Sequence, residues 1–450
     1  MSHYARAMSS SADRVQESLP SFLNYKQKSI APPCQSARFY LTPSNGSTFS
    51  STATSGPVMR FDIPCGSGGT HLNGAETVLV FTVVNTTGQS LTLDGSALAC
   101  IDALDVYAGS THISSIQSYA NYVNTLSDFT TIGSHYARGV ADFDLTQAAG
   151  ALTGAMVKAA VGTRNGVTIA TGDRATFSLP IVNFLGSLAM KSIPLSQIKD
   201  SLRLEVRLSG GLDWGVASAL PTVANSWGVA NPRLWLTHVV LDGAVESALI
   251  ASLPNSVVHV PCFDVQSFMT SVPANTGSFT YQIPLRVSSL NMILVTLRET
   301  AGLGQFDYRA LSRTRGNIDS YRFRIGSQII PSSYIDCSGT PAEARMELMR
   351  ALNQTSSSEA HSFVTNDQYA LEGANGGALS KVLCGGFAFA LTLSAMQMAE
   401  ILSDGRSTRN EYVTMDVKFR SITQPALRVD IYCQTDMVLV CEGGILHYEN

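Results

Sequence analysis

Asp-Val-Tyr-Ala-Gly-Ser at residues 105–110 and Arg-Phe-Arg-Ile-Gly-Ser at residues 322–327 are one device used twice. In each, apolar and polar side chains alternate, as in a half-buried strand, and the strand runs into a Gly-Ser turn. An Ile-containing stretch and a helix-like segment follow both. The offset from Gly109 to Gly326 is 217 residues. Leu202-Arg203-Leu204-Glu205-Val206 and Leu427-Arg428-Val429-Asp430-Ile431 repeat in the same order at an offset of 225. The two matches predict two copies of a domain of roughly 200 residues.

Outward from these anchors, the chain reads as short strands between turn residues. The first set is Met59–Pro64, Val78–Val84, Ile101–Tyr107, Thr176–Pro180, Leu202–Leu208 and Leu234–Leu241. The second is Ser278–Leu285, Leu290–Leu297, Tyr321–Ile325, Gly386–Leu393, Tyr412–Phe419 and Leu427–Val440. A helix-like linker, Ala244–Pro254, separates them, followed by Val257–Val260. Helical faces are read at Ser114–Asp128 and Ser394–Leu402. Thr340-Pro341-Ala342-Glu343 has the form of a capping box and opens a helix reaching Leu352.

The expected fold class is all-β: two tandem jelly-roll β-sandwiches with short helices in the inter-strand loops. The expected division is an N-terminal arm over 1–54, a first jelly roll over 55–243, a linker over 244–256 and a second jelly roll over 257–450. An immunoglobulin-like pair would need a Cys…Trp…Cys core, and Trp214, Trp227 and Trp235 all fall late in the first copy.

Composition narrows function. Hydrophobic residues make up 45% and charged residues only 14%, against about 25% charged in an ordinary soluble protein. Mean hydropathy is +0.12. Such a chain is expected to cover much of its surface with partners. A net charge of −4 lacks the basic stripe of a genome-coating protein. The first residues hold no apolar core of a secretory signal, and no run of 18 or more apolar residues is present. Cysteines at 34, 65, 100, 262, 337, 384, 433 and 441 form no C-x-x-C pair and are expected to be reduced, mostly buried thiols.

Motifs for chemistry are scarce. Gly66-Ser67-Gly68-Gly69 lacks the Lys-Ser/Thr of a phosphate loop, and Asn375-Gly376-Gly377 is a turn signal. The histidines at 3, 71, 112, 135, 238, 259, 361 and 447 have no metal-ligand spacing. Asp142 with Asp144, and Glu343 with Glu347, are the acidic pairs one would test for glycoside hydrolysis; both read as solvated. Asp404–Asn410 reads as a plain polar loop. Ser2-His3-Tyr4-Ala5-Arg6 recurs as Ser134-His135-Tyr136-Ala137-Arg138, a match read as chance. No catalytic, cofactor-binding or metal residues and no cofactor are expected, and the chain is not expected to be an enzyme.

The repeated residues also carry a resemblance. Asp94-Gly95-Ser96-Ala97 leading to Asp105–Ser110, Lys191-Ser192-Ile193-Pro194-Leu195 followed by Leu202–Leu208, Tyr321–Ser327, and Val429-Asp430-Ile431-Tyr432 with Asp436-Met437-Val438-Leu439-Val440 resemble stretches of double jelly-roll major capsid proteins. The likeness is to those of Polinton-like viruses and their virophage-like relatives, over residues 58–445. It implies a DNA-virus capsid protein whose homotrimers have a pseudo-hexameric outline and tile an icosahedral shell. It implies trimer–trimer lattice contacts, penton and minor capsid proteins as partners, no sequence-specific nucleic acid, and a virion location after assembly in the host cell without a signal peptide. The alternative is a carbohydrate-binding tandem β-sandwich, which would present exposed aromatic clusters on one sheet face. Loops 210–232 and 353–382 are candidates for the trimer top.

Overall fold

The computed structural model describes residues 34–449, leaving out 53–54, 67, 87–88, 90, 94–96, 131–167, 183, 185–191, 218–226, 254–256, 301–302, 304–310, 356–363, 365, 371–384, 395–404 and 421–423. The first sandwich contains β1 (Cys34–Leu41), β2 (Val58–Ile63), β3 (Thr70–Asn85), β4 (Ile101–Ala108), β5 (Thr111–Gln117), β6 (Arg174–Pro180), β7 (Leu202–Leu208) and β8 (Trp227–Leu241). One sheet runs β1-β8-β3-β6 and the facing one β2-β7-β4-β5. The second contains β9 (Val258–Val272), β10 (Ser278–Ile283), β11 (Leu290–Glu299), β12 (Ile318–Ile325), β13 (Gln328–Asp336), β14 (Ala388–Thr392), β15 (Val413–Phe419) and β16 (Leu427–Glu442). Its sheets run β9-β16-β11-β14 and β10-β15-β12-β13. The two orders are identical when eight is added to each label. Eight strands in two facing sheets in this order, with short extra strands added at Thr48–Ser51, Ile193–Pro194 and Ile445–Glu449, are a jelly roll, so the chain is two jelly rolls in tandem.

Strand chemistry explains each layer. In β7, Leu202, Leu204, Val206 and Leu208 point into the core, while Arg203, Glu205 and Arg207 point out. Leu204 sits between Phe61 of β2 and Val106 of β4. The outward row is paired: Arg60 and Arg203 reach Glu205 at 3.0 and 3.1 Å, and Arg207 reaches Asp102 at 3.1 Å.

The Gly-Ser turns are equivalent in space. Gly109 closes the β4–β5 hairpin at φ +56°, and Gly326 closes β12–β13 at φ +58°. Gly109 N donates to Ser201 O, and Gly326 N to Tyr412 O. A left-handed turn this close to another strand needs glycine. A Cβ at Gly326 would lie 2.8 Å from the Glu411 carboxyl carbon.

The second sequence match joins strands that are not equivalent. Leu202–Leu208 corresponds to β15, the central strand of the same sheet, whereas Leu427–Glu442 corresponds to β8. Alternating apolar residues occur in every half-buried strand and do not say which sheet a strand joins.

Other expectations shift. Cys34–Leu41 and Thr48–Ser51, read as arm, are strands paired along β8; no residue of Cys34–Leu41 is fully buried, so the in-out pattern is faint. The helix read over Ser114–Asp128 is strand β5 and then helix α1 (Tyr119–Thr130), because Ser118 at φ +50° turns the chain between them. The linker is α2 (Gly243–Ser252), capped by the Asp242 carboxylate, which accepts from Ala244 N at 3.0 Å. The helix after Thr340 is α3 (Ala342–Ala351), but the capping box does not form: Glu343 Oε2 accepts from Asp336 N at 2.9 Å instead. The Ser394–Leu402 helix lies outside the described residues except for Ser394.

Candidate functional site

The structure's most elaborate polar arrangement lies where one jelly roll meets the other, and α1 is its centre. α1 follows β5 of the first roll and lies against the outward face of the sheet β9-β16-β11-β14. Asn121 Nδ2 donates to Thr296 Oγ1 at 2.7 Å and approaches Asp430 Oδ2 and the Tyr432 hydroxyl at 3.3 and 3.2 Å. The rings of Tyr122 and Tyr432 are 5.0 Å apart. Arg313 forms an ion pair with Asp128 and donates to Thr125 Oγ1 at 2.6 Å. Asp430 is held by Arg298 at 2.8 Å and Arg428 at 2.9 Å, and both guanidinium groups also reach Ser118 Oγ. Ser114 Oγ donates to Asp264 Oδ1 at 2.7 Å, and Gln117 N to Ser267 Oγ at 2.8 Å.

This covering explains why β11 is buried at every position while β3, its counterpart, alternates. Both faces of β11 are packed: one on its own core, the other beneath α1. At the far end the strand Ile445–Glu449 turns back along β16. There Lys199 N donates to Gly444 O at 2.8 Å, and Cys441 Sγ to Gln197 O at 3.3 Å. The rolls are therefore joined at both ends of the seam.

Burial shifts several groups here. The Asp264 carboxyl is raised above the ordinary carboxylate value by loss of solvent, against the opposing pull of the Ser114 hydrogen bond. Tyr432 is pushed up by the same loss of solvent, with the neighbouring Asp430 charge adding to it. A cavity of about 200 Å³ opens beside this cluster, lined by Ser118, Asn121, Arg298 and Arg428, whose polar groups are engaged with one another.

The sequence candidates do not converge. Gly66 and Gly69 (φ +84° and +73°) form the turn into β3, with Gly66 N donating to Leu195 O. Glu343 holds the Asp336 amide, while Glu347 reaches Arg350 at 3.7 Å one turn on. The described part of Asp404–Asn410 is pinned by paired backbone bonds between Leu290 and Arg406, with Arg406 on Glu411 at 2.8 Å. Among the described residues no group of three or more His, Cys, Asp or Glu could hold a metal ion. Asp142, Asp144, residues 134–138, residues 2–6 and Asn375–Gly377 lie outside the described residues. No helix among the described residues is long and apolar enough to cross a membrane.

The sequence reading missed two surfaces. On the outward face of the first roll, Tyr40 and Trp235 stand exposed with ring centroids 5.5 Å apart, and the Arg233 guanidinium lies 5.2 Å from the Tyr40 ring. The alternation Leu234-Trp235-Leu236 carries that signal, since both leucines are buried. On the second roll, α3 buries Ala344 and Leu348 but presents Met346, 61% exposed, beside a cavity of about 390 Å³ lined by Pro341, Met349 and Tyr369.

No protein-family model matches the sequence, and no curated protein matches it. Solved structures do. A chain of the Sputnik virophage structure solved by cryo-EM matches at 14% identity, TM-score 0.59, over 95% of this chain and 91% of that one. A chain of the PBCV-1 virus capsid matches at 10% identity, TM-score 0.60, over 95% and 99%. The Faustovirus major capsid protein matches at 8% identity, TM-score 0.56, over 95% and 94%. Two rolls of matching strand order, joined through a helix-covered seam and superposable on these proteins along nearly their whole length, give this chain the double jelly-roll fold of viral major capsid proteins.

Proposed function

We propose that this chain is a major capsid protein that forms homotrimers of pseudo-hexameric outline, and that the trimers tile an icosahedral shell in the virion. Penton and minor capsid proteins are its further partners in this reading. In this reading the strands Cys34–Leu41 and Thr48–Ser51 belong to the first roll rather than to the N-terminal arm, and α2 lies in the linker between the rolls.

One observation carries the proposal. Within the chain, the helix after the fifth strand of the first roll covers the outward sheet face of the second. Duplication supplies the same two parts once more, and each leaves large apolar side chains exposed. They are α3, with Met346 exposed, and the outward face of β1-β8-β3-β6, with Tyr40 and Trp235 exposed. Seating α3 of each copy on that face of the next repeats the seam three times more and closes a ring of six similar rolls. A low charge fraction and a high apolar fraction suit flanks that are covered on assembly.

The test is negative-stain microscopy of purified protein together with its Met346→Glu and Trp235→Glu variants. The reading expects hexagonal particles from the parent and their loss in both variants, each of which keeps its monomer fold. Hexagonal particles that survive both changes overturn the assignment of this interface. Monomers from the parent overturn the function.

A further inference from the structure

A cavity of about 390 Å³ lies between the two rolls and α2. That volume falls within the range of about 300–1,000 Å³ typical of small-molecule sites. The first roll contributes His71 and Ser196 to its lining, α2 contributes Glu246, Leu249 and Ile250, and the second roll contributes Val258. Strand pairing and a turn bring the polar groups to one place. Pro194 pairs with His71, and Ser196 follows two residues on, in the turn Leu195–Gln197. A Cβ placed on Gly69, two residues before His71, would lie 3.6 Å from Glu246 Oε2. His71 Nε2, Ser196 Oγ and Glu246 Oε1 are each shielded from solvent and have no hydrogen-bond partner among the described residues. Polar atoms in that condition cost free energy that a fitting group recovers. The apolar wall is unsatisfied as well. Six of the ten residues of α2 are Ala, Val, Leu or Ile, yet none is buried. A helix this apolar is ordinarily covered.

The three polar atoms define the head group of an occupant. A carboxylate oxygen only accepts, so the occupant must donate to Glu246. Loss of solvent lowers the pKa of His71, against the Glu246 charge, so the ring is neutral near pH 7 and leaves that charge unbalanced. A neutral ring with its proton on Nδ1 accepts at Nε2, and the Ser196 hydroxyl accepts too. A primary ammonium brings three N–H donors to these three acceptors, and its charge answers the carboxylate. Glu246 is the only carboxylate in the lining among the described residues, so the further charges of a polyamine have no counterpart. We propose that this cavity binds a small primary alkylamine as its ammonium ion, with the nitrogen on Glu246, Ser196 and His71 and the alkyl chain on Leu249, Ile250 and Val258. A stem of CH₂ groups covers the apolar wall while the charged head stays with the polar atoms. The bound amine touches both rolls and the helix between them, and so ties the rolls together at α2. The site is built within one chain and does not depend on assembly.

The test is isothermal titration calorimetry of the full chain with n-hexylamine hydrochloride at about pH 7, beside 1-hexanol and sodium hexanoate, which share the stem and lack the cation. A second arm follows hydrogen exchange of residues 193–197 and 243–252 with and without the amine. The parent is expected to bind the amine saturably, with a Kd of about 1 mM or tighter, and hexanol and hexanoate about tenfold or more weakly. Glu246→Gln is expected to weaken amine binding by about tenfold or more and to leave hexanol unchanged. Exchange in the two segments is expected to slow by roughly threefold or more when the amine binds. No saturable amine binding, hexanol binding as tight as the amine, or unchanged amine affinity in Glu246→Gln overturns the proposal. Amine binding that leaves exchange of both segments unchanged overturns the location. Should Glu246→Gln not fold, the comparison of hexylamine with hexanol and the exchange arm decide on the parent alone.

Discussion

Asn121, from the helix of the first jelly roll, donates to Thr296 of the second at 2.7 Å, with both side chains shut off from solvent. A hydrogen bond this deep between two rolls means that they do not behave as beads on a string. The seam is a second core made of polar groups, and its members tolerate loss of one partner poorly.

Arg313 and Asp128 test this most sharply, since their side chains are only 1% and 2% exposed. Removing one partner leaves a buried charge. Arg313→Met or Asp128→Leu alone is expected to cost about 3–5 kcal/mol. The double variant is expected to recover most of that loss. The check is a double-mutant cycle by chemical denaturation; additive losses would mean that the pair does not interact.

Asp264 makes stability depend on pH with a definite sign. Burial raises its folded pKa above the unfolded value, so the folded state holds the proton more tightly. That contribution is present in acid and is lost as pH rises through the folded pKa. Asp264→Asn keeps an acceptor for Ser114 and removes the buried charge. It is expected to raise the melting temperature near pH 7, with the gain shrinking as pH falls toward about 4. Scanning fluorimetry across that range checks it; a gain that grows in acid contradicts it.

Leu204 is fully buried between two neighbouring strands. Leu204→Asp places an unpaired carboxylate in the core of the first roll and is expected to abolish soluble folding. Soluble yield after expression is the readout, and soluble trimeric Leu204→Asp protein would contradict the burial of this face.

The thiols divide by exposure. Cys34 is exposed, whereas Cys100, Cys262 and Cys433 are buried. Burial pushes the Cys262 thiol up to about 12 and those of Cys100 and Cys433 further still. Alkylation of native protein at about pH 8 is expected to mark Cys34 and leave these three untouched until denaturant is added. Peptide mass mapping reads the result.

The duplication was legible because Gly109 and Gly326 are demanded by one left-handed turn, a constraint few residues satisfy. The second repeat misled because Leu202–Val206 and Leu427–Ile431 share only alternation, which belongs to strands of either sheet. β1 stayed hidden because none of its residues is fully buried and its pairing with β8 joins positions about 200 residues apart. Helix α1 was blurred with β5 because Ser118, a residue that seldom takes positive φ, makes the turn. The seam was illegible altogether: Asn121, Thr296, Arg313 and Asp430 look ordinary until folding brings them together. Trp235 could have been read as outward-facing from the alternation Leu234-Trp235-Leu236, whereas Met346 and Tyr40 became surfaces only once the rolls were packed.

The central claim is that two uncovered faces on each chain are made for sister copies. Mass photometry at micromolar concentration tests it directly. The account predicts a dominant species of three times the 48.0 kDa chain, or larger shells built from it. A single species at 48.0 kDa would contradict it.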